Sequence, residues 1–218
     1  MFLEGNRKTM VDDLKKQQII ISQEVYNAML TVPRHLFIPR DLWHRAYLDT
    51  PQPIGMNQTI SAPHMNAMMC EYLEIEKGQK ILEIGTGSGY QAALLSILVG
   101  KLGTIYSIER IPELTHNARK VFEELDYKNI VTIIGDGSIG LEKEAPFDRI
   151  LVTAASPEII RSLLNQLSPN NGILVIPVGQ RNWDQDLYVI KRNQEKYTKQ
   201  HICKVVFVPL IGEKGFSE

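Results

Sequence analysis

Apolar residues along this chain alternate between two spacings. From Lys80 onward, short runs rich in Ile, Leu and Val at 80–85, 104–109, 130–135, 148–154 and 172–178 read as strands. Between them, at about 90–99, 112–126 and 156–166, apolar positions return every three or four residues, as on an amphipathic helix. In the second of these helices Leu114, Ala118, Val121, Phe122 and Leu125 fall on one stripe, and Ser156-Pro157 offers the third a cap and a first-turn proline. Strands alternating with helices of this length imply right-handed crossovers and a parallel sheet covered on both faces. Two further strands, at about 185–191 and 201–209, bring the expected sheet to seven. The fold class is therefore α/β, doubly wound, with a mostly parallel seven-stranded sheet.

Residues 1–60 follow neither period for long. Met1 to Lys16 is charged throughout and has no apolar stretch of signal-peptide length. Ser22 to Val32 predicts a short helix, capped by Ser22, with Val25, Ala28, Met29 and Val32 on one face. Pro33 and Pro39 then block a continuous helix, and Pro51, Pro53 and Gly55 make 47–55 an ordered loop, a candidate wall for a site. After Gln58-Thr-Ile-Ser-Ala-Pro63, a helix carries Met65, Met68, Met69, Tyr72 and Leu73 on one face, where methionine serves as core filler. Trp43 and Trp183 read as packing residues. The organisation expected is a single domain, 1–218, in which 1–60 is a helical and loop segment packed on an α/β core at 78–212.

Composition narrows the class. The chain has 218 residues, 44% hydrophobic and 22% charged, with a net charge of −1, which argues against an extended nucleic-acid-binding face. The two cysteines, Cys70 and Cys203, lie far apart in apolar-patterned stretches and read as free thiols of a reducing compartment. Neither a metal-ligand cluster nor an apolar run of membrane-spanning length, about 20 residues, is visible. The expectation is a cytoplasmic monomer without metal, nucleic acid or membrane among its partners.

Candidate chemistry collects at the carboxyl ends of the first three strands, where ligands bind to such sheets. The first ends in Glu83 and a turn with Gly85, Gly87 and Gly89, the second in Glu109, and the third in Gly135-Asp136-Gly137. Buried carboxylates need partners, and an acidic residue ending the second strand suits a ribose diol. A dinucleotide fingerprint would have its third glycine at position 90, which is Tyr here. Each feature alone occurs as an ordinary turn or strand end; in this order they read as a nucleoside-binding rim.

The Glu-x-Gly-x-Gly-x-Gly pattern resembles the S-adenosylmethionine-dependent methyltransferases with a Rossmann-like sheet. That resemblance places Glu83 near the methionine end of the cofactor, Glu109 at the ribose, and Asp136 with Gly137 at the adenine. A narrower resemblance follows from Pro53-Ile-Gly-Met-Asn-Gln-Thr-Ile-Ser-Ala-Pro-His-Met65, Ala145-Pro-Phe-Asp148, Val152-Thr-Ala-Ala155, Ile176-Pro-Val-Gly179, Val206-Phe-Val-Pro-Leu210 and Val32-Pro-Arg34. Together these segments resemble the protein-L-isoaspartate O-methyltransferases from about residue 10 to about 212. One departure is Asn66, where some members carry a second histidine.

The resemblance implies S-adenosyl-L-methionine as cofactor, with S-adenosyl-L-homocysteine as product, and damaged proteins or peptides containing L-isoaspartyl residues as partners. It implies a cofactor set of Gln58, Thr59, Ile60, Ser61, Glu83, Gly85, Thr86, Gly87, Ser88, Gly89, Glu109, Arg110, Asp136 and Gly137. The implied acceptor set is Ile54, Thr59, Ser61, His64, Val152, Thr153, Ala154, Ala155 and Val178. Ser61 is the implied catalytic residue, orienting the acceptor carboxylate, although its place before Ala62-Pro63 also suits a helix cap. Leu210-Ile211 would close over the cofactor. Two other readings stand beside this one: the same cofactor with another acceptor, and a non-catalytic adenosyl-binding module for modified protein ends.

Overall fold

A computed structural model describes residues 2–181 and 184–217, so Trp183 lies outside the described residues. The chain begins with helix α1, Phe2–Lys16, whose Met10, Val11 and Leu14 are buried in a narrow stripe between charged positions. That stripe is too thin to stand out in the sequence. Helix α2, Gln23–Thr31, is capped by Ser22, whose hydroxyl accepts from the Val25 N–H at 3.2 Å. Tyr26 ties α2 to α1 by donating to Asp12 at 2.6 Å.

The proline-rich stretch, expected as a loop, contains a small hairpin of β1, Gln52–Gly55, and β2, Gln58–Ile60. Its two-residue connection, Met56 and Asn57, has φ of 51° and 57°, the left-handed pair of a type I′ turn. Asn tolerates this well and Met does not, which hid the hairpin from a reading based on turn residues. Helix α3, Pro63–Leu73, follows.

The main sheet has the order β5-β4-β3-β6-β7-β8-β9. Its parallel strands are β3, Lys80–Ile84; β4, Thr104–Glu109; β5, Ile130–Ile134; β6, Arg149–Val152; and β7, Gly172–Gly179. Strands β8, Gln185–Asn193, and β9, Lys196–Val205, add on antiparallel to β7. Helices α4, Tyr90–Val99, α5, Pro112–Glu124, and α6, Arg161–Gln166, make the crossovers.

Side chains alternate across the sheet into two cores. Ile81, Ile105, Leu151 and Val175 face α1–α5, whereas Leu82, Ile150, Leu174 and Ile176 face α6. Burying each such side chain stabilises the fold by roughly 1.5–3 kcal/mol.

Two boundaries differ from expectation. Helix α6 starts at Arg161 rather than Ser156 because Ser156 pairs with β7: its N–H donates to Pro177 and its carbonyl accepts from Gly179. The last strand occupies 196–205 rather than 201–209. Its first half is an exposed, lysine-bearing edge without apolar signal. The apolar run after it leaves β8 and pairs with Ala155, whose N–H donates to Val208 and whose carbonyl accepts from Leu210. That exchange carries 208–211 across the carboxyl ends of the strands.

Candidate active site

The chain passes from β3 to β4 and β5 on one side, then returns to β6 on the other, which opens a crevice at the carboxyl end of β3. There the glycine turn begins. Gly85 has φ of 98°, and a Cβ on it would lie 2.4 Å from the Thr153 hydroxyl, which itself donates to the Ile84 and Gly85 carbonyls. Gly89 works differently. With φ of 88° at the start of α4, its bare Cα faces α5, where a Cβ would come within 2.6 Å of Phe122. Gly85 shapes the cleft and Gly89 lets two helices meet.

The three acidic residues have separate environments. Glu109, ending β4, accepts the Gly87 and Ile111 N–H groups, both at 3.0 Å, one on each carboxylate oxygen. Lone pairs therefore remain on both oxygens for ligand hydroxyls. Glu83 is fully buried behind the turn; it accepts from Ser107, whose hydroxyl also meets Thr86 at 2.6 Å, and the Glu83 Oε1 has no partner among the described residues. Burial, helped by repulsion from Glu109 and opposed by the Ser107 hydrogen bond, pushes Glu83 up to about 8. Asp136 accepts the N–H groups of Ser138 at 2.8 Å and Glu213 at 2.7 Å, so it clamps the C-terminal segment. Burial opposes its ionisation, but the hydrogen bonds from Glu213 and Ser138 outweigh that and hold it below the usual carboxylate range.

The hairpin and the start of α3 form the facing wall. Ser61 is not the helix cap: Ala62 holds that position without a side-chain bond. Asp49 does the capping from outside, accepting the His64 N–H at 2.8 Å and contacting its Nδ1 at 2.9 Å. Among the described residues nothing engages the Ser61 hydroxyl. Below it, Arg34 donates to the Ser61 carbonyl at 2.7 Å and to Asn66 Oδ1 at 3.0 Å.

Between the walls is a cleft of about 420 Å³, lined by Met56–Ser61, Gly85–Ser88, Ile108–Ile111, Gly137, Thr153 and Ala154, with Val208–Ile211 across one side. This volume lies in the range of small-ligand sites.

Comparison with known proteins supplies the family. Residues 5–215 match the model described as Protein-L-isoaspartate(D-aspartate) O-methyltransferase (PCMT). The chain is 48% identical over 219 residues to protein-L-isoaspartate O-methyltransferase 2 of Archaeoglobus fulgidus, covering 100% of this chain and 98% of the relative. It is 52% identical over 195 residues to the protein-L-isoaspartate O-methyltransferase of Methanococcoides burtonii, covering 89% and 95%. The chain belongs to the protein-L-isoaspartate O-methyltransferase family. A Plasmodium falciparum structure described as a protein-L-isoaspartate O-methyltransferase in complex with S-adenosyl-L-homocysteine superposes with a TM-score of 0.81 at 29% identity, covering 94% of this chain and 98% of that one.

Of the cofactor set implied by the isoaspartate methyltransferase resemblance, Gln58, Thr59, Ile60, Ser61, Gly85, Thr86, Gly87, Ser88, Glu109, Arg110 and Gly137 line the cleft. Glu83, Gly89 and Asp136 do not, for the reasons given above: one is sealed behind the turn, one packs helices, and one holds the C-terminal segment. Of the acceptor set, Thr59, Ser61, Thr153 and Ala154 line it. Val152 and Ala155 are fully buried, His64 is engaged by Asp49, and Val178 lies outside the lining. Ile54 stands beside Gly87, its Cδ1 3.6 Å from where a Cβ would be.

Asn66, Gln91, Arg181 and Val208 also line the cleft and were not singled out as site residues from the sequence. Asn66 stood out only as a departure from the family, Gln91 carried only a helix pattern, and Arg181 no local motif at all. Among the described residues no group of His, Cys, Asp or Glu is placed to hold a metal, and no helix is long and apolar enough to cross a membrane.

Proposed function

We propose that this chain transfers a methyl group from S-adenosyl-L-methionine to the free carboxylate of L-isoaspartyl residues in damaged proteins and peptides, starting their repair. One observation carries the assignment of roles: a single cleft holds the glycine turn, a hydrogen-bonding carboxylate at Glu109 and a Ser61 hydroxyl that none of the described residues engages, in a member of this family. The residues fit the cofactor. Gly85 and Gly87, with φ of 98° and 51°, line the cleft in a turn that suits glycine, and Glu109 retains acceptor capacity for ribose hydroxyls. Thr86, Gly87 and Ser88, which lead into α4, complete that side.

When bound, the cofactor supplies an electrophilic methyl on a sulfonium. The isoaspartyl α-carboxylate is already ionised at neutral pH, with a reference pKa of about 3.3–3.7, so no residue need act as a general base. The task left to the protein is alignment and exclusion of water, because opposite charges disappear as the methyl moves and water favours the separated ions. Ser61 donates to one oxygen of the acceptor carboxylate and holds the other towards the methyl. Ile60, Val208, Leu210 and Ile211 provide apolar cover. Thr59, Thr153 and Ala154 leave room for a peptide backbone. Normal aspartate is rejected because its carboxylate sits on a side chain one methylene displaced from the main-chain geometry that the cleft accepts. The ester then cyclises to a succinimide without the enzyme, and hydrolysis returns part of it to aspartate.

Action as a monomer is part of the same proposal. Two free cysteines suit a reducing compartment and support the cytoplasm as location. The test uses methyl-labelled S-adenosylmethionine with matched isoaspartyl and aspartyl peptides. Base-labile label on the isoaspartyl peptide alone is expected; label on both or neither peptide would overturn the reading.

A further inference from the structure

Arg34 is among the largest fully buried side chains of the described residues; no carboxylate among them hydrogen-bonds to it, and Asp49 acts on it only through space. Its Nε donates to the Ala46 carbonyl at 2.9 Å, Nη1 to Asn66 Oδ1 at 3.0 Å and Nη2 to the Ser61 carbonyl at 2.7 Å. The guanidinium carbon stands 5.0 Å from the centre of the Tyr90 ring. Burial lowers its pKa to about 10, so the charge persists at neutral pH. A cation enclosed in this way is costly unless an anion compensates it, and an apolar side chain would pack the site more cheaply.

The chemistry of its neighbours shows what the charge does. A guanidinium only donates, so Asn66 must turn Oδ1 towards Arg34 and Nδ2 away from it. That Nδ2 donates to Gln91 Oε1 at 2.7 Å, and Gln91 Nε2 donates to Cys70 Sγ at 3.1 Å. The chain of hydrogen bonds thus runs one way, from Arg34 to the thiol. Each amide spends its oxygen inside the network and retains a second N–H. Asn66, Gln91 and Ser61 all line the cleft. Each carbonyl oxygen of this network already takes one hydrogen bond from inside the protein, while each amide keeps a second N–H and none of the described residues engages the Ser61 hydroxyl. This edge of the cleft is a donor surface backed by a positive charge, which is the requirement of a carboxylate.

We propose that Arg34 is a positioning residue for the acceptor carboxylate: it fixes the Ser61–Asn66–Gln91 edge as a set of donors and supplies its counter-charge without touching it. The inference rests on the isoaspartyl reading above and adds to it the group that makes the cleft select an anion.

The test compares wild type, Arg34→Gln, Arg34→Lys and Asn66→Asp as full chains, each saturated with S-adenosyl-L-homocysteine. Affinities are measured for an isoaspartyl peptide and for the same peptide with that carboxylate replaced by a neutral carboxamide. Wild type should prefer the acid, and Arg34→Gln should lower that preference by about tenfold or more. Arg34→Lys should retain most of it, with S-adenosyl-L-homocysteine affinity changed by less than about twofold in both. Asn66→Asp, which pairs the guanidinium internally while keeping the packing, should lose the preference as Arg34→Gln does, and it carries the test if Arg34→Gln fails to fold. An unchanged preference in Asn66→Asp and Arg34→Gln, or equal weakening of acid and amide in every variant, would overturn the proposal. Wild type that does not methylate the isoaspartyl peptide would sink the functional reading and this inference with it. Wild type that does, with variants of unchanged preference, would sink this inference alone.

Discussion

The two walls of the cleft each rest on a fully buried ionisable group with no ion-pair partner among the described residues, and the two groups meet that situation in opposite ways. Behind the glycine turn, Glu83 is pushed up to about 8 by burial and stays protonated at neutral pH. Under the hairpin wall, Arg34 falls only to about 10 and stays charged. The difference comes from starting points: a carboxyl near 4.3 has room to surrender its charge before pH 7, and a guanidinium above 12 does not. The glycine wall is consequently shaped by backbone, with a neutral acid behind it. The hairpin wall is shaped by side chains oriented around a retained cation. A positively charged cofactor and a negatively charged acceptor ask for that asymmetry.

The largest expected effect belongs to the glycine wall. Gly89→Ala puts a Cβ at φ of 88° and within 2.6 Å of Phe122, so urea unfolding should show a loss of about 2–4 kcal/mol. A smaller loss would mean that α5 moves aside freely.

Glu83→Gln comes next and tests the neutralised acid directly. Below about pH 4.3 the carboxyl is protonated in folded and unfolded chains alike and makes no difference. As pH rises, the unfolded chain ionises while the folded chain holds its proton, so stability falls until about pH 8. Removing the carboxyl should therefore stabilise the protein by about 3 kcal/mol more at pH 8 than at pH 5, from roughly 1.4 kcal/mol per pH unit. Equal effects at the two pH values would mean that Glu83 ionises in the folded protein, and the contrast between the walls would fail.

On the hairpin wall, Ser61→Ala should lower kcat/KM for an isoaspartyl peptide by about 30-fold, equivalent to about 2 kcal/mol. Its melting temperature should hold, because none of the described residues engages the hydroxyl. A large fall in melting temperature would return Ser61 to a structural role. The smallest effect is Met56→Gly, which relieves a left-handed Met but adds freedom to the unfolded chain, for a net gain of about 0.5 kcal/mol in urea unfolding.

How much of this was legible depended on how local the physics is. Strands β3, β4, β6 and β7 bury both faces, so their apolar runs announce them. The outer half of β9 is an edge that need not be apolar, and α1 buries only a thin stripe, so both escaped notice. The glycine turn and Glu109 were visible because turn, strand end and helix start are consecutive. Gly89 looked like part of the cleft for the same reason, until the position of Phe122, far along the chain, gave it another purpose. Ser61 looked like a cap because the sequence places it beside a helix start, yet Asp49 took that office from 15 residues away. Arg34, Asn66 and Gln91, separated by 32 and 25 residues, carry no common local pattern.

By itself the sequence determined the alternation of strand and helix, the sheet that follows from it, the glycine turn and the family. These depend on backbone propensity and on periodic burial, which neighbouring residues dictate. The tertiary structure alone decided which carboxyl would stay neutral, which hydroxyl would stay free and which edge of the cleft would carry a charge. Those outcomes depend on desolvation and on the donor or acceptor that distant segments bring within 3 Å, and neither exists until the chain has folded.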